Sequence, residues 1–169
     1  MKNASCNRKK NPRFKSMHNL VIVESATKCK TISKYLNKPE IVKKFGKFEV
    51  VASSGHLRDL VKNKPGTDSG IDVQNWIAHY EKILGKAKVI DNLGGKIKSS
   101  KTVWLASDLD REGEAIAWHL KDMFRLKNYK RISFNEITES ALKEAITNPR
   151  DIDYHLVDAQ QGRRIIDRL

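Results

Sequence analysis

The stretch Thr102-Val103-Trp104-Leu105-Ala106-Ser107-Asp108-Leu109-Asp110-Arg111-Glu112-Gly113-Glu114 decides how this chain is read. Its first five residues form an apolar run that fits a buried strand, and Ile116, Leu120 and Phe124 then recur at four-residue intervals, which predicts a helix. Between strand and helix lies a loop rich in carboxylates. In open α/β sheets the carboxyl ends of the strands are where ligands bind, so these acids stand at a chemically privileged edge.

The same alternation extends in both directions. Upstream, Leu20-Val21-Ile22-Val23 reads as a second buried strand, and Ala26 to Leu36, with Ile32 and Leu36 four apart, as its helix. Phe48 to Ala52 is a further strand, and Gly55 suggests a turn carrying His56 at its tip. Residues 61 to 75 read as a long loop. Residues 86 to 98 have some helical spacing, but Gly94-Gly95 weakens a helix interior by roughly 1 kcal/mol per glycine. Downstream, Arg131 to Phe134 reads as a strand, and Thr138 to Thr147 and Leu156 to Leu169 as amphipathic helices. Strands alternating with helices predict an α/β fold with a mainly parallel sheet wrapped by helices.

Composition bounds the function classes. The 169 residues are 39% hydrophobic, which is enough for one domain with a real core. No apolar run approaches the length of a membrane span, and no apolar segment follows the basic N-terminus as a secretory signal requires, so an intracellular, soluble protein is expected. Cys6 and Cys29 stand far apart without a C-x-x-C partner and give neither a disulfide framework nor a zinc cluster. The 33 Lys and Arg against 20 Asp and Glu leave a formal +13, with a pI near 9.8, and point to a polyanionic partner. Residues 1–17 hold six of the basic residues and no acid, with no apolar periodicity, which predicts a disordered basic arm. The remainder still has 27 basic residues against 20 acidic ones, so the excess is not confined to the arm.

Asp108 and Asp110, two apart in an extended turn, can point to one side, and Glu112 in the first helical turn can reach the same point. Three hard oxygen donors suit Mg²⁺, which bridges carboxylates to phosphate oxygens. The plainer alternative is that Asp110 caps the helix, with Glu112 and Glu114 favoured by the positive end of its dipole. Glu24 favours the metal reading, because it ends the first strand and a parallel sheet brings both strand-to-helix turns to one edge.

Five blocks in order carry a family resemblance: Val23-Glu24-Ser25-Ala26-Thr27-Lys28, Ser54-Gly55-His56-Leu57-Arg58-Asp59-Leu60, Asp108 to Leu120, Phe134-Asn135-Glu136-Ile137-Thr138 and Asp158-Ala159-Gln160-Gln161-Gly162-Arg163-Arg164. They resemble the bacterial-type type IA DNA topoisomerases, from about His18 to Leu169. Ala26-Thr27, where the family usually has Pro-Ala, and Gly162, usually Ala or Ser, are departures that touch no carboxylate.

The resemblance implies a Toprim domain over residues 18–151, a Rossmann-like four-stranded parallel sheet flanked by helices. It also implies that 152–169 begins a following helical DNA-binding domain, truncated here. The activity implied is relaxation of supercoiled DNA by transient single-strand cleavage, strand passage and resealing without ATP. Glu24 would be general acid/base, and Lys28 would sit beside the scissile phosphate. Glu24, Asp108, Asp110 and Glu112 would hold Mg²⁺, while His56, Arg163, Arg164 and Arg168 would contact DNA. By pattern alone, Lys28 is equally a surface lysine, His56 a loop histidine and the arginines a solvated face.

The implied partners are a single-stranded DNA segment at the cleavage site and a supercoiled duplex, with no membrane and a monomeric protein. Tyr35, Tyr80, Tyr129 and Tyr154 all lie outside the family's tyrosine motif, so the fragment alone is expected to cut nothing. The competing readings are another Toprim enzyme, a primase or an overcoming-lysogenization-type nuclease, and a non-catalytic DNA-binding module.

Overall fold

The computed structural model describes residues 18–62, 65 and 69–168, so the arm expected at 1–17 lies outside the described residues. In chain order the elements are β1 (His18–Val23), α1 (Ala26–Leu36), α2 (Pro39–Phe45), β2 (Phe48–Ala52), β3 (Arg58–Leu60), β4 (Ile71–Asp72), β5 (Ile77–Ala78) and β6 (Tyr80–Lys82). A single 3-10 turn (Leu84–Lys86) leads into α3 (Ala87–Ser99), β7 (Ser100–Ala106), α4 (Arg111–Met123), β8 (Tyr129–Ile132), α5 (Glu139–Thr147) and α6 (Tyr154–Ile166). Among them β2, β1, β7 and β8 form, in that order, a four-stranded sheet that is parallel throughout. This is the α/β architecture that the alternation predicts.

The central strands β1 and β7 are buried on both faces, which is why they read as unbroken apolar runs. Successive side chains point to opposite faces. Leu20, Ile22, Val103 and Leu105 therefore meet Ile90 and Leu93 of α3, Ile116 and Leu120 of α4, and Val157 of α6 in one core. Val21, Val23, Trp104 and Ala106 meet Ile32 and Leu36 of α1, Ile41 of α2, and Leu142 and Ile146 of α5 in the other. Each fully buried Leu, Ile or Val contributes about 1.5–3 kcal/mol. Polar groups at the edge of this core are satisfied locally: the Asn19 amide donates to Phe45 O at 2.8 Å and its Oδ1 accepts from the Trp104 indole at 3.2 Å.

Several boundaries differ from the sequence reading. The last strand is Tyr129–Ile132 rather than 131–134, because those four residues pair with Val103–Ala106, and Phe134 leaves the sheet to pack on the second core. The final helix starts at Tyr154, capped by Asp153, whose carboxylate accepts from His155 N and Leu156 N, and it ends at Ile166 rather than 169. It packs onto α4, and Ile152 and Val157 enter the first core. Residues 87–99 form a full helix despite Gly94-Gly95, since Ile90 and Leu93 are buried on one side of it. The helix α2, with Ile41 as its one buried residue, and the two short antiparallel pairs β3–β6 and β4–β5 were not foreseen.

A buried ion cluster ties the acidic loop to this framework. Glu114 and Arg131 are both 0% exposed, and Arg131 donates to Glu114 Oε1 from Nη2 at 2.7 Å and from Nε at 3.1 Å. The rest of the guanidinium reaches backbone carbonyls of the acidic loop, Ser107 O at 2.8 Å and Asp108 O at 3.0 Å. Glu114 Oε1 also takes Arg150 Nη2, and its Oε2 accepts from Asp153 N at 3.1 Å. Burial pulls the Arg131 pKa below the ordinary arginine value, and the Glu114 carboxylate opposes that pull.

Gly113 permits the same fold-back. A Cβ there would lie 2.1 Å from Asp108 O, so the first turn of α4 can close onto the loop only without a side chain.

Removing one member of a buried charge cluster leaves an uncompensated charge. Glu114→Ala is therefore expected to cost about 3–5 kcal/mol of unfolding free energy, read as a lower urea midpoint at unchanged slope. A loss below about 1 kcal/mol would contradict the assignment.

Candidate active site

The geometry of the site follows from strand register. Val23 pairs with Ala52 on one side and Ala106 on the other, so Glu24, Ser53 and Ser107 leave three neighbouring strands at one edge. The turn after β2 is sewn onto β1: Ser53 N donates to Val23 O at 2.8 Å and Gly55 N to Glu24 O at 3.1 Å. Ser54 and Gly55 both take positive φ, 58° and 84°, which reverses the chain and delivers His56 to the same edge. Each sequence-predicted loop thus arrives where the parallel sheet requires.

Within that edge most of the predicted residues line two depressions, while Glu24 and Arg168 line neither. One, about 410 Å³, is lined by Lys28, Asp108 and Asp110 together with Asn135 and Glu136. Here Lys28 Nζ reaches Asp108 Oδ1 at 2.8 Å, joining the first turn of α1 to the turn after β7. Asp110 caps α4, its Oδ1 accepting from Gly113 N at 2.7 Å, as the plainer reading of that residue had it.

The other depression, about 590 Å³, is lined by Glu112, His56, Arg163 and Arg164, among others. Glu112 Oε2 meets His56 Nε2 at 3.1 Å and Gln160 Nε2 at 3.3 Å. Glu112 therefore faces away from Asp108 and Asp110 in this arrangement.

Among the described residues, no three His, Cys, Asp or Glu side chains converge as a ready-made metal cage. The donor chemistry nonetheless suits a hard divalent ion. The Glu24 carboxylate, Asp108 Oδ2 and Asp110 Oδ2 have no hydrogen-bond or ion-pair partner among the described residues. Asp108 Oδ1 already accepts a cation, the Lys28 ammonium. The donors fit such an ion in type and in loop placement, but they have to draw together to hold it, Glu112 by turning from His56 and Gln160.

The arginines are held by an acid that sequence reasoning had not singled out. Asp59 takes Arg164 through both oxygens, at 2.6 and 2.9 Å, and Arg168 at 3.1 Å. Burial resists ionisation of Asp59, but the Arg164 hydrogen bonds, the Leu60 amide and the charges of Arg164 and Arg168 together outweigh it and hold the carboxyl below its usual value. Arg163 is exposed, 4.0 Å from Asp167.

Also unforeseen is an aromatic floor under this depression. Arg58 stacks over Trp118 at 5.3 Å and Tyr80 at 5.7 Å, and donates to His119 Nδ1 at 3.1 Å. The block Ser54 to Leu60 carried a signal for Arg58 and Asp59. The partners on α4 carried none, because a histidine on an apolar helix face reads as core.

Burial first, and the nearby Arg58 charge second, push the His119 imidazole down to about 3. A base whose folded pKa is depressed stays neutral while the unfolded chain takes up a proton near pH 6.5, so stability falls as pH drops from about 6.5 toward 3. The slope is about 1.4 kcal/mol per pH unit. His119→Gln, followed by urea unfolding between pH 7 and 5, is expected to lose that component of the slope. An unchanged slope would contradict a neutral buried imidazole.

The profile of the Toprim domain family matches residues 19–137. Among solved structures the chain is similar to full-length topoisomerase I from Thermotoga maritima, at 42% sequence identity and a TM-score of 0.72 over 88% of this chain. The match takes in 24% of the Thermotoga chain, so this chain spans about a quarter of that relative's length. Since the family match runs through all four strands of the sheet and both acidic strand ends, this chain belongs to the Toprim domain family.

Proposed function

We propose that this chain is the Toprim portion of a type IA DNA topoisomerase, an ATP-independent isomerase that relaxes supercoiled DNA by cutting, passing and resealing one strand. The observation that carries the reading is the 2.8 Å contact between Lys28 and Asp108. It joins the start of α1 to the acidic turn after β7, which puts a cation for a phosphate beside acids for a metal. Support for this choice over primases and nucleases comes from the 42% identity to a topoisomerase I.

In this reading Glu24, whose carboxylate is free among the described residues, exchanges a proton with the 3′ oxygen that leaves and later attacks. Lys28 offsets charge developing on the scissile phosphate. Asp108, Asp110, Glu24 and Glu112 would hold Mg²⁺, which requires Glu112 to be released from His56 and Gln160. The ion, when bound, positions the phosphate and the broken ends.

His56, Arg163 and Arg164 line the larger depression and contact the backbone of the DNA strand. Arg168, paired with Asp59, borders them. The aromatic floor of Tyr80 and Trp118 holds Arg58, which keeps this basic wall in place. The net +13 supplies the long-range attraction that any such substrate requires.

None of the four tyrosines lies in the family's nucleophile motif. The 169-residue chain is therefore expected to leave supercoiled plasmid unrelaxed while binding single-stranded DNA with an affinity that falls as salt rises. A plasmid relaxation assay with added Mg²⁺ checks the first expectation, and salt-dependent fluorescence anisotropy with a labelled oligonucleotide the second. Reproducible relaxation, or no measurable DNA affinity at low salt, would overturn the reading.

A further inference from the structure

Each acid proposed to hold Mg²⁺ near α4 is already engaged by a donor of this chain. Asp108 has the Lys28 ammonium at 2.8 Å, Asp110 has the Gly113 amide at 2.7 Å, and Glu112 has His56 and Gln160 at 3.1 and 3.3 Å. These partners are unequal. The Gly113 amide donates to one oxygen of Asp110, the N-cap of α4, leaving the other free. Lys28 instead places a full positive charge on the carboxylate whose charge a divalent ion would use.

Lys28 and Asp108 are 30% and 48% exposed, so water can take over either partner and the pair is separable at modest cost. Lys28 belongs to the first turn of α1, where no side chain of the core depends on it. Its ammonium can swing without disturbing the fold.

We infer that Lys28 is a built-in counter-ion that Mg²⁺ displaces from Asp108, and that the freed ammonium then turns to a DNA phosphate, so that metal and phosphate binding reinforce one another. The inference rests on the metal and phosphate roles proposed above and adds the linkage between them. Until the ion arrives, Lys28 offsets the mutual repulsion of the clustered carboxylates. Once the ion is bound, it and Lys28 repel each other, and a phosphate between them relieves that repulsion. By linkage, whatever factor Mg²⁺ adds to phosphate affinity, phosphate adds to Mg²⁺ affinity.

The test compares wild type with Lys28→Met and Asp108→Asn in the 169-residue chain. Mg²⁺ affinity is read by calorimetry. Affinity for a fluorescein-labelled single-stranded oligonucleotide is read by anisotropy, with and without Mg²⁺ at fixed ionic strength. Lys28→Met, which keeps the stem and removes the charge, is expected to bind Mg²⁺ about two- to fivefold more tightly, the worth of one partly exposed ion pair. Mg²⁺ should tighten oligonucleotide binding by wild type relative to Lys28→Met, a ratio from which general screening by the ion cancels.

Equal or weaker Mg²⁺ binding by Lys28→Met, while Asp108→Asn abolishes it, overturns the counter-ion role and leaves the metal site standing. Mg²⁺ binding that is absent or unaffected by Asp108→Asn overturns both. Circular dichroism spectra matching wild type show that each variant is folded.

Discussion

The acidic loop keeps its shape because one carboxylate and one guanidinium are buried together beneath it. Glu114 and Arg131 have no solvent to fall back on, so their mutual charge and their hydrogen bonds must be complete inside the protein. Arg131 meets that demand by donating to the backbone of the Ser107–Asp108 segment, which fixes the carbonyls of the loop from below and leaves the Asp108 and Asp110 side chains to the edge above. Glu114 completes its shell with Arg150 and with the backbone N–H of the residue that caps α6. One ion cluster thus sets both the acid-bearing turn and the start of the helix that carries Arg163, Arg164 and Arg168.

Above this buried layer, charge is arranged in pairs that can be exchanged. Lys28 with Asp108, and Arg164 and Arg168 with Asp59, each match a cation to an anion at a partly exposed position, and His56 meets Glu112 at another. Pairs of this kind hold side chains in place but contribute little stability, so a ligand with better charge complementarity can replace one partner. A polyanion and a divalent cation are the two ligands that would do so, one for the bases and one for the acids. The contrast with the fully buried Glu114–Arg131 pair separates scaffold from site.

Much of this was legible in the sequence, for physical reasons that differ by element. The runs Leu20–Val23 and Val103–Ala106 are apolar on every residue because both sheet faces are covered, and a parallel sheet then forces Glu24 and Asp108 to the same edge. The four-residue spacing of Ile32 with Leu36, and of Ile116 with Leu120, gave the helices beside them. The five motif blocks carried the family, and that recognition agrees with the Toprim match.

Other features left no periodic trace. Strands of two or three residues, such as β4 and β6, are too short to show alternation, and α2 buries only Ile41. Glu114 is spaced like another acid of the cluster, and nothing local reveals that it faces Arg131, 17 residues away in sequence. The same holds for Asp59, whose partners Arg164 and Arg168 lie more than 100 positions further along. Whether Glu112 turns toward the aspartates or toward His56 is a rotamer choice, which no spacing rule decides.

The proposed chemistry requires a divalent ion seated where the segments after β1 and β7 meet. Manganese, a paramagnetic stand-in for magnesium, reports that position directly in a ¹⁵N-resolved NMR titration of the 169-residue chain. Selective broadening of the backbone amides from Glu24 to Lys28 and from Asp108 to Glu112, ahead of all others, is the predicted result. Broadening that begins elsewhere, or that spreads evenly over the surface acids, would contradict it.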